Sequence, residues 1–252
     1  MALLVVSSVL SLVALVYGES DYWPFHPGEA EASIVHPDPL QLQAIVDNTG
    51  HIAADASTQL SYLDVTTGEL LNTSNSTEPR PTLSTSKLLI ADYVLTHGTE
   101  EEKADALTMV QNSSDSIATS LIRTYPKAIG ATAEKYHLPH TWGTTQWGRA
   151  RTTTDDLVSF ISQKLTANPN DPLLEAMRAA TPIAADGYSQ DFGTYTLPGV
   201  TGTKWGWSND RKSTHASVSF GTVAGHTFVV AAITYGTKEE HTAAVRQAII
   251  QA

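Results

Sequence analysis

The spacing of the apolar residues changes once along this chain, and that change restricts the fold more than any other feature. From 87 to 180 the apolar positions recur at helical intervals, in segments closed by Gly98, by polar breaks and by prolines. From 195 onward the stretches 199–207, 213–220 and 227–234 alternate or run apolar as strands do, and 239–250 reads as a closing helix. Ahead of the helical block, 61–72 (SYLDVTTGELLN) reads as two strands around a turn at Thr67 and Gly68, and a helix is expected at 40–47. A hairpin, a block of helices, a run of strands and a final helix define an α+β chain. With 41% hydrophobic and 16% charged residues it is able to bury a real core.

Three regions follow from the composition along the chain. Residues 1–18, MALLVVSSVLSLVALVYG, are uncharged and apolar and give way to Glu19, Ser20 and Asp21, as an export signal does. The basic residues that usually precede such a run are missing. Residues 19–39 hold Pro24, Pro27, Pro37 and Pro39 and read as a linker or N-terminal arm. Residues 40–252 form the domain. A secreted or envelope-associated protein is expected, with no spanning segment once the signal is removed, and a monomer.

Charge and composition narrow the chemistry. The net charge of -11 repels phosphate backbones, so nucleic acid is excluded as a natural partner. The absence of cysteine removes disulfides, thiolate metal sites and thiol nucleophiles, leaving oxygen and nitrogen to act. His137 and His140 are separated by Leu138 and Pro139 with no third ligand spaced nearby, so neither a metal nor any other cofactor is expected. His97, His215, His226 and His241 read as surface or strand residues.

The strongest chemical signal is Ser84-Thr85-Ser86-Lys87 at the start of a predicted helix running to 95. Three-residue spacing on a helix puts hydroxyl and amine on one face, a turn apart. A serine hydroxyl is a poor nucleophile until a base takes its proton, and a lysine is a base only when neutral. Bringing a lysine from about 10.4 to about 7–8 takes roughly 4 kcal/mol of preference for the neutral form, which burial and a second cation supply. A capped amphipathic helix would explain the same four residues without any chemistry.

Two further elements follow in order. Asn112-Ser113-Ser114-Asp115-Ser116 is a polar knot between predicted helices, and Lys204-Trp205-Gly206 opens a late strand. With Ser-x-x-Lys, these resemble the three motifs of the penicillin-recognising serine hydrolases, the class A β-lactamases and DD-peptidases. STSKLLIADYVL, SSDSIATSLIRTYPKAI, WGRARTTTDDL, KWGWSND and HASVSFG are similar to segments of small exported actinobacterial members of that group. The resemblance covers roughly residues 40–252. It implies an antiparallel five-stranded sheet flanked by helices, with an all-helical lobe at about 90–185 inserted between the sheet parts and the site at their junction. It further implies that Ser84 is acylated by a cell-wall peptide or β-lactam, that Lys87 takes its proton and Ser113 relays it, and that Lys204 supplies the second cation. Asp115, Ser114, Trp205, Gly206 and Trp207 are the implied substrate contacts. Backbone N–H groups of Ser84 and of a residue just past Gly206 would form the oxyanion hole.

The chain also departs from that pattern. The middle motif has two registers, Ser113-Ser114-Asp115 and Ser114-Asp115-Ser116, of which the first lets a helix continue through Ile117 and Ala118. It puts an acid where the group carries an asparagine, and an ionised carboxylate donates no hydrogen bond. Trp205 replaces a hydroxyl residue that would help hold a substrate carboxylate, a task open to Ser208, Arg211 or Lys212. The deacylating glutamate of class A enzymes has no counterpart, since Glu134 has Leu138 where an asparagine belongs. The alternative is therefore a weakly active or inactive module of the same fold that binds peptidoglycan or a protein.

Overall fold

A computed structural model describes residues 41–144 and 146–251; the expected export segment and arm lie outside these residues. The chain opens with β1 (Leu42–Ala44), β2 (Thr58–Asp64), β3 (Leu70–Asn72) and β4 (Arg80–Pro81). A 3₁₀ turn, Leu83–Thr85, runs into α1 (Ser86–His97), followed by α2 (Glu100–Asn112), α3 (Asp115–Thr124) and α4 (Ala128–Lys135). A second 3₁₀ turn, Trp147–Arg149, leads to β5 (Arg151–Thr152), α5 (Thr154–Ala167) and α6 (Pro172–Arg178). After a third, Gly193–Thr196, come β6 (Val200–Trp207), β7 (His215–Val223), β8 (His226–Thr234), α7 (Lys238–Ala248) and β9 (Ile249–Gln251).

Five strands form one antiparallel sheet in the order β3-β2-β8-β7-β6. The expected hairpin is β2–β3. Its turn is set by Asp64, whose carboxylate accepts from the amides of Thr66 and Thr67, and by Gly68 at φ +81, which a side chain would strain. Period-two alternation then divides the sheet. Ala216, Val218, Phe220, Val229, Ala231 and Ile233 face the core shared with α1 to α6, whereas Phe228, Val230 and Ala232 face a smaller core closed by α7. The helices at 86–178 thus stand between the first strands of the sheet and the last three.

Helix starts follow the capping chemistry of the sequence. Thr99 and Thr237 each form a capping box, with Glu102 and Glu240 respectively, and Thr153 caps α5 by accepting from the amide of Asp156.

Two expectations are corrected. The helix foreseen at 40–47 is instead β1, paired antiparallel with β9 in the register Leu42↔Gln251 and Ala44↔Ile249. Leu42 and Ala44 are buried while Gln43 is exposed, an alternation of period two. The closing helix stops at Ala248, and the β-branched Ile249 and Ile250 turn extended to complete that pair.

The helical lobe is pinned by one buried acid. Asp92 on α1 accepts from Lys164 of α5 at 2.7 Å, Lys135 of α4 at 2.9 Å and the Tyr136 hydroxyl at 3.0 Å. Burial pushes its carboxyl up, but the bonds and charges of Lys164 and Lys135 outweigh burial and hold it below the usual range. Its stabilisation is therefore complete above the unfolded carboxylate value and is lost as pH falls through the lower folded one. Asp92→Ala leaves Lys164 half-compensated in a buried setting and is expected to cost about 3 kcal/mol at pH 7. Urea unfolding checks this: the midpoint falls at unchanged slope, and the difference from the parent shrinks below pH 4.

Candidate active site

Ser84 owes its position to a strained turn. Leu83 adopts φ +50, a left-handed conformation that costs a non-glycine residue on the order of 1–3 kcal/mol. The turn is held by Thr85, whose amide and hydroxyl both donate to the Thr82 carbonyl, and by the Ser86 hydroxyl donating to Leu83 O. Ser84 then sits one turn before Lys87, whose Nζ donates to its Oγ at 2.9 Å.

The second element arrives through a sharp break between α2 and α3. Ser113 closes α2 at φ 58, so its backbone turns toward α1. Lys87 Nζ donates to the Ser113 carbonyl at 2.6 Å, lies 3.3 Å from its Oγ, and pairs with Asp115 Oδ1 at 2.6 Å. Four oxygens therefore crowd one amine that has three N–H bonds at most. Lys87 is fully buried, whereas the Asp115 side chain is 66% exposed.

These contacts distinguish the two registers of the middle motif. Ser113 and Asp115 converge on Lys87. Ser114 does not: its Oγ accepts from the Ile117 amide and pairs with Ser116 Oγ, so it caps α3 instead of facing substrate. The reading of Ser114 as a substrate contact is corrected accordingly.

The third element lies on β6, where alternation sorts the residues. Lys204 and Gly206 share the face turned to the helices. Trp205 points the other way, buried, with its indole N–H donating to the Phe192 carbonyl and its ring against Tyr195. It packs behind the sheet and does not line the cavity, which corrects its place among the substrate contacts. Gly206 is needed for close approach, since a Cβ there would lie 2.7 Å from both the Ser84 nitrogen and Leu83 Cβ. Trp207 lines the cavity mouth, its ring tilted against that of Tyr188 with centroids 4.9 Å apart, and its N–H donates to Asp186.

Lys204 is fully buried with no hydrogen-bond partner for its amine among the described residues. Burial drives its pKa far down, and the charge of Lys87 pushes the same way against Asp115. Burial also lowers Lys87, but Asp115 opposes it both by hydrogen bond and by charge, with Asp186 adding to it. Burial thus disfavours the charged form of both amines, and of the two only Lys87 has a carboxylate hydrogen-bonded to it. The burial of Lys204 works against the expected division, in which Lys204 is the cation that keeps Lys87 neutral.

The cavity in front of Ser84 measures about 610 Å³ and is bounded by Ser84, Asp115, Trp147, Asp186, Trp207 and Arg211. Arg211 is held by the Asp186 carbonyl at 2.9 Å and carboxylate at 3.3 Å. No glutamate lines the cavity among the described residues; Glu134 is exposed on α4 and Leu138 is buried in the core. Among the described residues no group of three acidic, histidine or cysteine side chains is placed to hold a metal. His215 and His241 lie wholly buried, and His241 is on α7, not on a strand or the surface. His215 Nδ1 donates to the Gly236 carbonyl, so its Nε2 accepts from the Tyr188 hydroxyl at 2.9 Å. Burial, with a smaller push from His215, pulls His241 down to about 3, and its ring bridges Ser217 and Thr234.

Four features escaped the sequence reading. Trp147 places its ring 4.7 Å from Lys87 Nζ, but its loop has no periodicity to reveal that. Asp186 and the left-handed Leu83 carry no motif. The close pairing of Trp207 with Tyr188 depends on a contact across the β6–β7 end of the sheet.

Comparisons with solved structures agree with this architecture. A penicillin-binding protein homolog from Mycobacterium tuberculosis superposes with a TM-score of 0.58 at 20% identity, over 79% of this chain and 94% of its own. A D-alanyl-D-alanine carboxypeptidase from the same organism gives 0.58 at 18%, over 80% and 94%. A class A β-lactamase from Mycobacterium abscessus gives 0.59 at 16%, over 77% and 92%. No protein-family model matches the chain, and no curated protein does. The chain has the fold of the penicillin-binding proteins and class A β-lactamases, at low sequence identity. Among the described residues no helix is long and apolar enough to cross a membrane.

Because β6 runs so close to the Ser84 amide, Gly206→Ala must displace one of them. A loss of about 2 kcal/mol in chemical unfolding is expected from this overpacking, with no comparable loss for Gly148→Ala, where nothing lies within 4 Å.

Proposed function

We propose that this protein is an exported, monomeric serine acyl-transfer hydrolase that forms an ester at Ser84 with a cell-wall peptide ending in D-Ala-D-Ala or with a β-lactam. The observation that carries this reading is the convergence of Ser84 Oγ, Ser113 and Asp115 on the buried Lys87 amine. The names of the similar structures, a D-alanyl-D-alanine carboxypeptidase and β-lactamases among them, support the substrate class. Export rests on residues 1–18.

In this mechanism Lys87 first loses its extra proton to bulk solvent by way of the exposed Asp115 carboxylate. Ser84 Oγ then attacks the carbonyl carbon as its hydroxyl proton moves to the neutral Lys87 amine. The new Oγ–C bond forms and the C–N bond breaks, and Ser113 hands the proton to the leaving nitrogen. The developing oxyanion is received by the Ser84 amide and an amide just past Gly206, a donor pair worth about 2.7–4 kcal/mol per member in other hydrolases. Water finally cleaves the ester. With no glutamate lining the cavity among the described residues, this last step is slow, so a penicilloyl ester persists.

Intact-mass spectrometry after exposure to benzylpenicillin tests the proposal. A stoichiometric adduct is expected that disappears in Ser84→Ala, while Lys87→Ala slows its formation by about 100- to 10,000-fold. No adduct at high drug concentration contradicts it.

Asp115 also supplies a sharper test. Its carboxylate favours the ammonium form of Lys87, so Asp115→Asn removes an opposing influence and lowers the pH at which the amine becomes free. The rising limb of the acylation rate should move to lower pH in that variant. An unmoved limb contradicts the role of Lys87 as base.

The same ion pair favours the second reading, a binding module in which Lys87 stays charged. Binding of cell-wall fragments that survives both Ser84→Ala and Lys87→Ala would support that reading over the first.

A further inference from the structure

The cavity holds one large side chain to which acyl transfer assigns no task. Trp147 opens the 3₁₀ turn between α4 and β5, and its ring both lines the cavity and lies 4.7 Å from Lys87 Nζ. Its indole N–H donates to Thr119 Oγ1 on α3 at 3.2 Å, which fixes the orientation of the ring. The other neighbours of the amine are oxygens, those of Ser84, Ser113 and Asp115. Lys87 is nonetheless completely buried, although Ser84 and the exposed Asp115 border a cavity wide enough for water. The indole is the apolar surface that stands between the amine and that space.

We propose that Trp147 is a positioning residue for the Ser84–Lys87 pair, an indole shutter that keeps cavity water off the Lys87 amine. This rests on the acyl-transfer reading for its consequence but not for its geometry. Two effects of the ring oppose each other: its π face attracts an ammonium, and its bulk removes the water that would solvate one. Burial is the largest influence on Lys87. Other groups bearing on the amine act from α3 (Asp115), from β6 (Lys204) and from the segment before β6 (Asp186), and all of them remain when the ring is removed. Opening the shutter thus stabilises the ammonium and raises the pH needed to activate Ser84.

The test needs no substrate. In protein labelled with ¹³Cε-lysine, the Lys87 signal is assigned by its loss in Lys87→Arg and followed by NMR against pH. Trp147→Ala should move its titration to higher pH, Trp147→Phe should stay near the parent, and Thr119→Val, which frees the indole edge, should lie between. Trp147→Leu gives an intermediate shift and serves where the alanine variant fails to fold. A titration unmoved by Trp147→Ala or Trp147→Leu, or moved to lower pH, overturns the proposal. In parallel, a fluorophosphonate reports on Ser84 itself: the Oγ–P bond forms, fluoride leaves and the hydroxyl proton passes to Lys87. Labelling at pH 7 should slow at least tenfold in Trp147→Ala. If Ser84 never reacts while the Lys87 titration still shifts, acyl transfer fails and the shutter stands. If Ser84 reacts and neither the titration nor the rate responds to Trp147, the shutter fails alone.

Discussion

Two lysine amines, both denied water, are the constraint around which the rest of this structure is arranged. Transfer of an ammonium into a dry interior is so unfavourable that the group gives up its proton unless partners replace the lost hydration. Lys87 has such partners in Asp115, Ser113 and Ser84, whereas Lys204 has none among the described residues. Placing the second amine within electrostatic reach of the first makes a doubly charged state costlier still. The ion pair with Asp115 therefore favours the charged form at Lys87, while Lys204 has no such partner among the described residues. In the proposed acyl transfer, activation of Ser84 depends on loosening that ion pair, a step a substrate group engaging Asp115 would assist.

The scaffold makes this arrangement by bringing three distant segments together. The helical face of β6 presents Lys204 and Gly206 toward α1, and the missing side chain at Gly206 lets the strand lie against the Ser84 amide. A left-handed Ser113 swings its carbonyl and hydroxyl onto the same amine. Leu83 in a left-handed turn stores strain beside Ser84, and the surrounding packing of α1 and β6 holds it there. The buried Asp92 network ties α1 to α4 and α5 on the helical side.

Much of this was legible in the residues themselves. The change of apolar period predicts the helical block and the last three strands, and the Thr-x-x-Glu pairs that cap α2 and α7 are local and readable. The segment 40–47 misled because three residues, Leu-Gln-Ala, fit either period, and the strand that pairs with them lies at the other end of the chain. Trp205 was misplaced although alternation alone separates it from Lys204 and Gly206. Ser114 competed with Ser113 because serine serves equally as a cap and as a relay. Trp147 and Asp186 were invisible for a plainer reason: they reach the site from irregular loops, whose paths depend on tertiary packing.

The distribution of protons between the two amines tests the account most directly. Neutron diffraction from crystals grown in D₂O at neutral pH would count the deuterons on each nitrogen. The account predicts three on Lys87 Nζ, directed at the Ser84, Ser113 and Asp115 oxygens, and two on Lys204 Nζ. Three on both amines would contradict it.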